Sequence, residues 1–287
     1  MNGRPARRSR VLRSVVAALF AAAWPASFAA AQFLPDEIAR RAECEEFLRT
    51  AEIVEVRAIG EGITRPKKVI LRKGGIEKTA VWKNPEERDG DTLDQWRFEI
   101  AAYRLDKLLG LNMVPPTVER SLDGRPGALS LWVGRTLNLV QVVEQNIVIP
   151  PEAEGAFNDM KYVARAWDCL IANDDRTQQN VLYTSDWRTI LIDHSRAFGC
   201  RGEYGRRLVF GLNGIKTAED GRPFLFRRLP RRFVRAIERL DLDAVREAVG
   251  RYLKNDEIKA VLKRRDILLR EIQAMIADQG EDRILYD

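Results

Sequence analysis

The spacing of apolar residues changes along the chain. Ile53–Ile59 alternates apolar and polar positions, and Lys68–Leu71 and Thr79–Trp82 are two further short runs of strand type. Ahead of them, Leu34–Ala51 carries helical spacing with a charged face. Asp94–Leu109 places Trp96, Ile100, Tyr103, Leu105 and Leu108 at helical intervals and stops at Gly110. Asn112–Arg120 contains Val114-Pro115-Pro116, an extended exit, because a residue before proline is steered away from helix. After a turn at Asp123–Gly127, Ala128–Gly134 reads as a lobe-connecting strand. Leu137–Ile149 is apolar with Gln141, Glu144 and Gln145 interspersed and reads as lining or capping a cleft, and Pro150-Pro151 begins a short loop. Phe157–Ala172 and Phe233–Gln279 then carry helical spacing. Between them, Val181–Tyr183 and Thr189–Ile192 form a strand pair around the turn Thr184–Arg188. The expected class is α+β with two lobes, a small β-rich one over residues 32–134 and a mainly helical one over 135–287.

The first 31 residues stand apart. Arg4, Arg7, Arg8, Arg10 and Arg13 precede the apolar run Val15–Ala23, and Ala29-Ala30-Ala31 offers a cleavage site before Gln32. This reads as an export signal, giving a secreted or periplasmic protein with no stable membrane span once the signal is removed. An uncleaved anchor is the competing reading, although Pro25 breaks a run already short for a span. The formal charge of +6 changes meaning accordingly. Five of the 48 basic residues lie in the signal, which leaves 43 against 42 acids, a net of +1, and no nucleic-acid partner is expected from charge. An exported chain permits a disulfide, and Cys44–Cys200 is the pair to test, with Cys169 in an apolar helical run. Three buried thiols are the equal alternative.

His194 is the sole histidine, which removes multi-histidine zinc sites and hydrolases that need a separately placed His. Asp, Glu, Lys and Arg remain, the chemistry of phosphates and hard cations. They fall into an order. Asp175 stands five residues before Asn180, and a short hairpin then ends on Asp193. Phosphoryl transfer to a hydroxyl needs one carboxylate facing the acceptor, and an amide with a second carboxylate to hold the divalent cation. Upstream, Gly60 and Gly62 lie between two expected strands, where backbone N–H groups can cover phosphates; taken alone, the two glycines read better as a plain hairpin turn. Lys83 closes the third strand, suited to phosphate charge, and Glu99 on the next helix is its candidate partner. The expectation is a protein-kinase-like bilobal fold.

Phe98–Gly110 followed by Val114-Pro115-Pro116 resembles the helix and exit of the secretory-pathway kinases, the family of the Golgi casein kinase and the proteoglycan xylosyl kinase. Ala172–Arg176 and Asp193–Phe198 are similar to that family's catalytic and metal-binding segments. The spacing from Asp175 to Asn180 is also shared in form with phosphoinositide kinases and HipA-type kinases. The resemblance runs from about Gly60 to Phe198. It implies that Lys83 contacts phosphates, Glu99 orients Lys83 or helps hold metal, Asp175 is the catalytic Asp, Asp193 binds metal and Asn180 is a second ligand. Arg176 and Arg196 are supporting residues, and Asp174 is the runner-up for the catalytic position. It also implies ATP as donor and Mg²⁺ or Mn²⁺ as cation. Two features depart from the family. Thr177, Gln178 and Gln179 stand where the casein kinases carry His, and a cysteine-rich frame is absent.

The reading is therefore an exported atypical kinase with a nucleotide and an unidentified hydroxyl acceptor as partners, the acceptor being a protein Ser/Thr, a sugar or an inositol headgroup. A catalytically inactive kinase-like binding module, nucleotidyl transfer, and an unrelated domain with these residues as turn formers are the alternatives.

Overall fold

A computed structural model describes residues 33–60, 65–89, 92–205, 208 and 226–287. The export signal and Gly62 lie outside the described residues. Two helices open the chain, α1 (Pro35–Ala39) and α2 (Arg41–Thr50), broken at Arg40 where one continuous helical pattern was expected. Strands β1 (Glu52–Ala58), β2 (Lys67–Lys73) and β3 (Ile76–Lys83) follow, then a ribbon of β4 (Glu86–Asp89) and β5 (Thr92–Gln95). Helix α3 (Trp96–Leu109) ends at Gly110, whose φ of 66° supplies the left-handed cap expected there. Strands β6 (Thr117–Glu119) and β7 (Ala128–Leu131) complete an antiparallel sheet in the order β1-β2-β3-β7-β6.

Period-two burial builds this part. Val69 and Leu71 of β2, and Ala80 and Trp82 of β3, point to one face and are buried there against Phe47 and Leu48 of α2. Trp82 fixes its indole by donating to the Arg120 carbonyl at 2.9 Å. Gly127 is required beside it, since a Cβ there would sit 2.6 Å from the Lys83 carbonyl oxygen and from the Trp82 ring.

The rest is mainly helical. Strand β8 (Thr136–Asn138) leads into α4 (Leu139–Glu144) and α5 (Pro151–Ile171). Pro150-Pro151 does not begin a loop as expected. Pro151 is the first residue of α5, a position where proline's missing N–H has no helical partner to lose. Strands β9 (Val181–Thr184) and β10 (Thr189–Leu191) pair with β8 in the order β10-β9-β8. After β11 (Leu229–Pro230) come α6 (Arg231–Glu238), α7 (Leu242–Val249), α8 (Asn255–Gln279), α9 (Glu281–Ile284) and β12 (Leu285–Tyr286), the last pairing with β11. One core joins α3, α5, α6, α7 and α8 through Phe98, Trp167, Phe233, Val245 and Val261. Cys44, Cys169 and Cys200 are all free, so the Cys44–Cys200 disulfide is absent. Among the described residues no helix is long and apolar enough to cross a membrane.

One buried carboxyl makes the fold pH-sensitive. Asp106 of α3 is fully buried and accepts the Met113 N–H at 2.9 Å, while its other oxygen has no hydrogen-bond partner. Burial outweighs the pull of that N–H and pushes the carboxyl up to about 7. An unfolded Asp ionises near pH 4, so between roughly pH 4 and 7 the folded chain keeps a proton that the unfolded chain has lost. Stability from this group is therefore full below that window and falls as pH rises through it, by about 1.4 kcal/mol per unit. Asp106→Asn keeps the acceptor for Met113 and removes the linkage. Urea unfolding at pH 5 and pH 8 should show a smaller pH-dependent loss in the variant than in the parent, and equal losses would remove Asp106 as the cause.

Candidate active site

The site forms where the end of β3, the first turn of α3 and the segment after β10 meet. Lys83 Nζ lies 2.8 Å from Glu99 Oε1 and 2.7 Å from Asp193 Oδ1. The two carboxylates stand 16 and 110 residues from the lysine in sequence, and the ammonium is only 14% exposed. Burial pulls the Lys83 ammonium down, but Glu99 and Asp193 outweigh it and leave it above its ordinary value. Glu99 is the mirror case. Burial pushes it up, yet Lys83 and the contacts to His194 hold it well below the usual carboxylate range. Its Oε2 accepts the His194 backbone N–H at 3.0 Å, so this one carboxylate ties together β3, α3 and the residue after Asp193.

Asp193 adopts φ 61°, a left-handed conformation that is uncommon away from glycine. Several contacts pin the chain around it. The Leu191 N–H donates to the Met113 carbonyl at 2.9 Å, the Gln95 N–H to the Ser195 carbonyl at 2.8 Å, and the Phe198 N–H to the Ile171 carbonyl at 2.6 Å. Phe98 and Phe198, both fully buried, meet with ring centroids 5.6 Å apart.

The loop bearing Asp175 and Asn180 begins where Ala172, at φ 52°, caps α5. Arg176 is its strut. The guanidinium holds Asp168 through Nε at 2.9 Å and Nη2 at 3.0 Å, and donates to the carbonyls of Ile192 at 2.6 Å and Asn180 at 3.0 Å. Nη2 also lies 2.9 Å from His194 Nε2; a guanidinium can only donate, which makes that nitrogen the acceptor. Burial, opposed by Glu99, holds the His194 imidazole below its ordinary value, which favours the neutral ring that this acceptor role needs. Asn180 donates to the Asp175 carbonyl at 3.3 Å. The Asp175 carboxylate is half-buried and makes no hydrogen bond among the described residues. Burial raises it, opposed by Arg196 and reinforced by Asp193 and Asp174.

Asp174 turns the other way. It is 2% exposed, accepts the Tyr204 hydroxyl and lies 3.6 Å from Arg196 Nε. The Tyr204 ring packs on Gly199, where any Cβ would come within 2.7 Å of it, and buried Arg264 grips the carbonyls of Gly199 at 2.7 Å and Tyr204 at 2.9 Å. Asp174 is an anchor for the segment after Asp193.

No protein-family model matches the chain, and no curated protein matches it by sequence. Solved structures do. The structure of hydra Fam20 with sugar has a TM-score of 0.61 over 86% of this chain and 92% of its own, at 15% identity. The Golgi casein kinase gives 0.60 over 86% and 78%, and the same kinase with Mn/ADP bound gives 0.59 over the same shares, both at 15% identity. The chain has the fold of the secretory-pathway kinases.

Within that kinase-like fold the structure brings Lys83, Glu99 and Asp193 into direct contact, and the loop of Asp175 and Asn180 joins them through Arg176. Gly60, at φ 78°, starts the turn between β1 and β2, which Ile59 N–H closes on the Pro66 carbonyl at 3.2 Å. Arg196 faces Asp174 and Asp175. The sequence reading passed over Asp168, Tyr204 and Arg264. Asp168 had a signal, a carboxylate in the apolar run Trp167–Ile171 that a buried helix face tolerates only with a partner.

The donor set suits a hard cation. Asp193, Asn180 and Asp175 offer oxygens, and Mg²⁺-type ions take one or two carboxylates with the remaining positions filled by water and substrate phosphates. Among the described residues no group of three or more His, Cys, Asp or Glu is arranged for a metal alone.

Proposed function

We propose that the protein is a divalent-cation-dependent phosphotransferase that moves the γ-phosphoryl group of ATP to a hydroxyl acceptor, working as an exported atypical kinase. The observation that carries this reading is the Lys83 ammonium held between Glu99 and Asp193. Residues 32–134 would form the lobe that covers the nucleotide, with Gly60 at the start of its β1–β2 turn and Gly62 assigned to phosphate covering from sequence alone. Residues 135–287 would supply the acceptor side.

Lys83, oriented by Glu99, neutralises α/β-phosphate charge. Asp193 and Asn180 would hold Mg²⁺ or Mn²⁺, which when bound neutralises charge building on the phosphates. Asp175 orients the acceptor hydroxyl and takes its proton as the new oxygen–phosphorus bond forms and the bond to ADP breaks. Burial raises its carboxyl above the ordinary value, the direction that strengthens it as a base. Arg176 keeps the loop in place before any ligand arrives, so little reorganisation accompanies reaction. The kinase fold, the Mn/ADP complex of the Golgi casein kinase and the contact of Lys83 with Glu99 and Asp193 support the reading. The acceptor is a protein Ser/Thr, a sugar or an inositol headgroup; no nucleic acid is involved. Secretion or periplasmic export rests on the first 31 residues.

Thermal unfolding tests the site without knowledge of the acceptor. ATP and Mn²⁺ together should stabilise the protein by about 2.7 kcal/mol at a hundredfold excess over the dissociation constant. Each alone should do less. If no combination shifts the transition, the cleft takes no metal–nucleotide and an inactive binding module becomes the better reading.

A further inference from the structure

A second cavity, about 920 Å³, lies between the last turns of α3, the β6 edge and α7, and shares no residue with the site around Lys83 and Asp175. Five cationic side chains line it, Arg49, Arg104, Lys107, Arg120 and Arg251, against three carboxylates, Glu45, Glu119 and Glu247. The excess of two positive charges sits in a recess, where low-dielectric walls focus the field.

Two of the carboxylates are already saturated from within. Glu45 takes Lys107 at 2.6 Å, the Tyr103 hydroxyl at 2.6 Å and Arg49 at 2.9 Å. Glu119 takes Arg251 at 2.8 Å and the Tyr252 hydroxyl at 3.2 Å. Arg104 is the exception among the cations. It has no carboxylate partner among the described residues, makes one long hydrogen bond of 3.3 Å to the Ala248 carbonyl, and lies over the Tyr252 ring at 4.7 Å. Stacking leaves the edge of a guanidinium, its fork of N–H donors, free to meet a planar or tetrahedral oxyanion. Arg120 also lacks a carboxylate, spending its donors on the Leu48 and Ala51 carbonyls at 2.7 Å each. Arginine forks matched to phosphate oxygens form the stronger, charge-assisted class of hydrogen bond.

We infer that this cavity is a second ligand site, for a small molecule bearing two or more phosphate groups, received by Arg104 and Lys107 of α3 and by Arg251 facing them. The volume exceeds what one phosphate would fill. Among the described residues Arg104 has no carboxylate, Lys107 shares Glu45 with Arg49 and Tyr103, and Arg251 holds Glu119 with most of its side chain exposed. The lining therefore keeps an excess of positive charge that several phosphates meet better than one. The occupant would rest on the same helix that carries Glu99.

Tripolyphosphate, without metal or nucleotide, is the probe, and calorimetric titration of the full chain is the measurement. Binding is expected to be at least about tenfold tighter than for orthophosphate and to weaken as salt is raised. Arg104→Gln and Arg251→Gln should each weaken it about tenfold or more, the loss of one charge-assisted contact. Arg251 is 72% exposed at its side chain, so that variant tests the site without a folding cost. Lys83→Met should leave binding intact, which separates this site from the proposed nucleotide cleft. Absence of binding at millimolar tripolyphosphate, equal binding of orthophosphate, or binding untouched by both arginine variants would each overturn the proposal.

Discussion

Asp193→Ala is expected to lower cation-dependent ATP turnover by about a hundred- to a thousandfold, with water or any hydroxyl as acceptor. The estimate follows from what one preorganised electrostatic group contributes to a charged transition state, about 3–4 kcal/mol. Asp193 Oδ1 is 2.7 Å from Lys83, and on the proposed reading the same carboxylate would also help hold the cation. Lys83 keeps Glu99 at 2.8 Å in the variant, so the buried ammonium is not left alone and the fold should survive. ADP release in Mn²⁺, measured beside an unfolding curve of the unliganded variant, separates loss of chemistry from loss of structure. A folded variant with parental turnover would remove Asp193 from the reaction.

Asp175→Asn comes second, with an expected loss of about a hundred- to ten-thousandfold in kcat. The amide keeps the shape of the side chain and cannot take a proton. The parental pH profile gives an independent signature. Burial, reinforced by Asp193 and Asp174 and opposed by Arg196, raises the Asp175 carboxyl. A base works in its ionised form, so the rate should climb as pH rises through that raised value and level off above it. The variant should lack this limb. Should Asp175→Asn retain both the rate and the limb, the proton acceptor lies elsewhere; Asp174 is a poor substitute, because Tyr204 and Arg196 already engage it.

Much of this arrangement was legible in sequence because its signals are local. A strand ending on Lys83, a helix with Glu99 in its first turn and a hairpin ending on Asp193 can each be read from spacing, and the fold then brings the three together. The break at Arg40 and the start of α5 at Pro151 were missed for a different reason. Helical periodicity continues through the first, and two prolines mimic a loop at the second, although proline at a first helical position is favourable. Tyr204 and Arg264 were invisible because their partners, Asp174 and the Gly199 carbonyl, are 30 and 65 residues away. Nothing in a tyrosine or an arginine on its own announces such a contact.

The Arg176 strut also bears on the order in which the molecule assembles. Its bonds close short stretches of chain, 4 residues to Asn180, 8 to Asp168, 16 to Ile192 and 18 to His194. The Lys83–Asp193 contact closes 110. Chain-closure entropy grows with the logarithm of length, so the longer closure costs about 1.6 kcal/mol more than the 18-residue one. The loop of Asp175 thus has the entropic means to condense on α5 by itself, while the Lys83 contact depends on two distant halves of the chain finding each other. The same asymmetry runs in reverse under stress: the long-range contact is the one that separation of β3 from the segment after β10 surrenders, and the loop of Asp175 can outlast it.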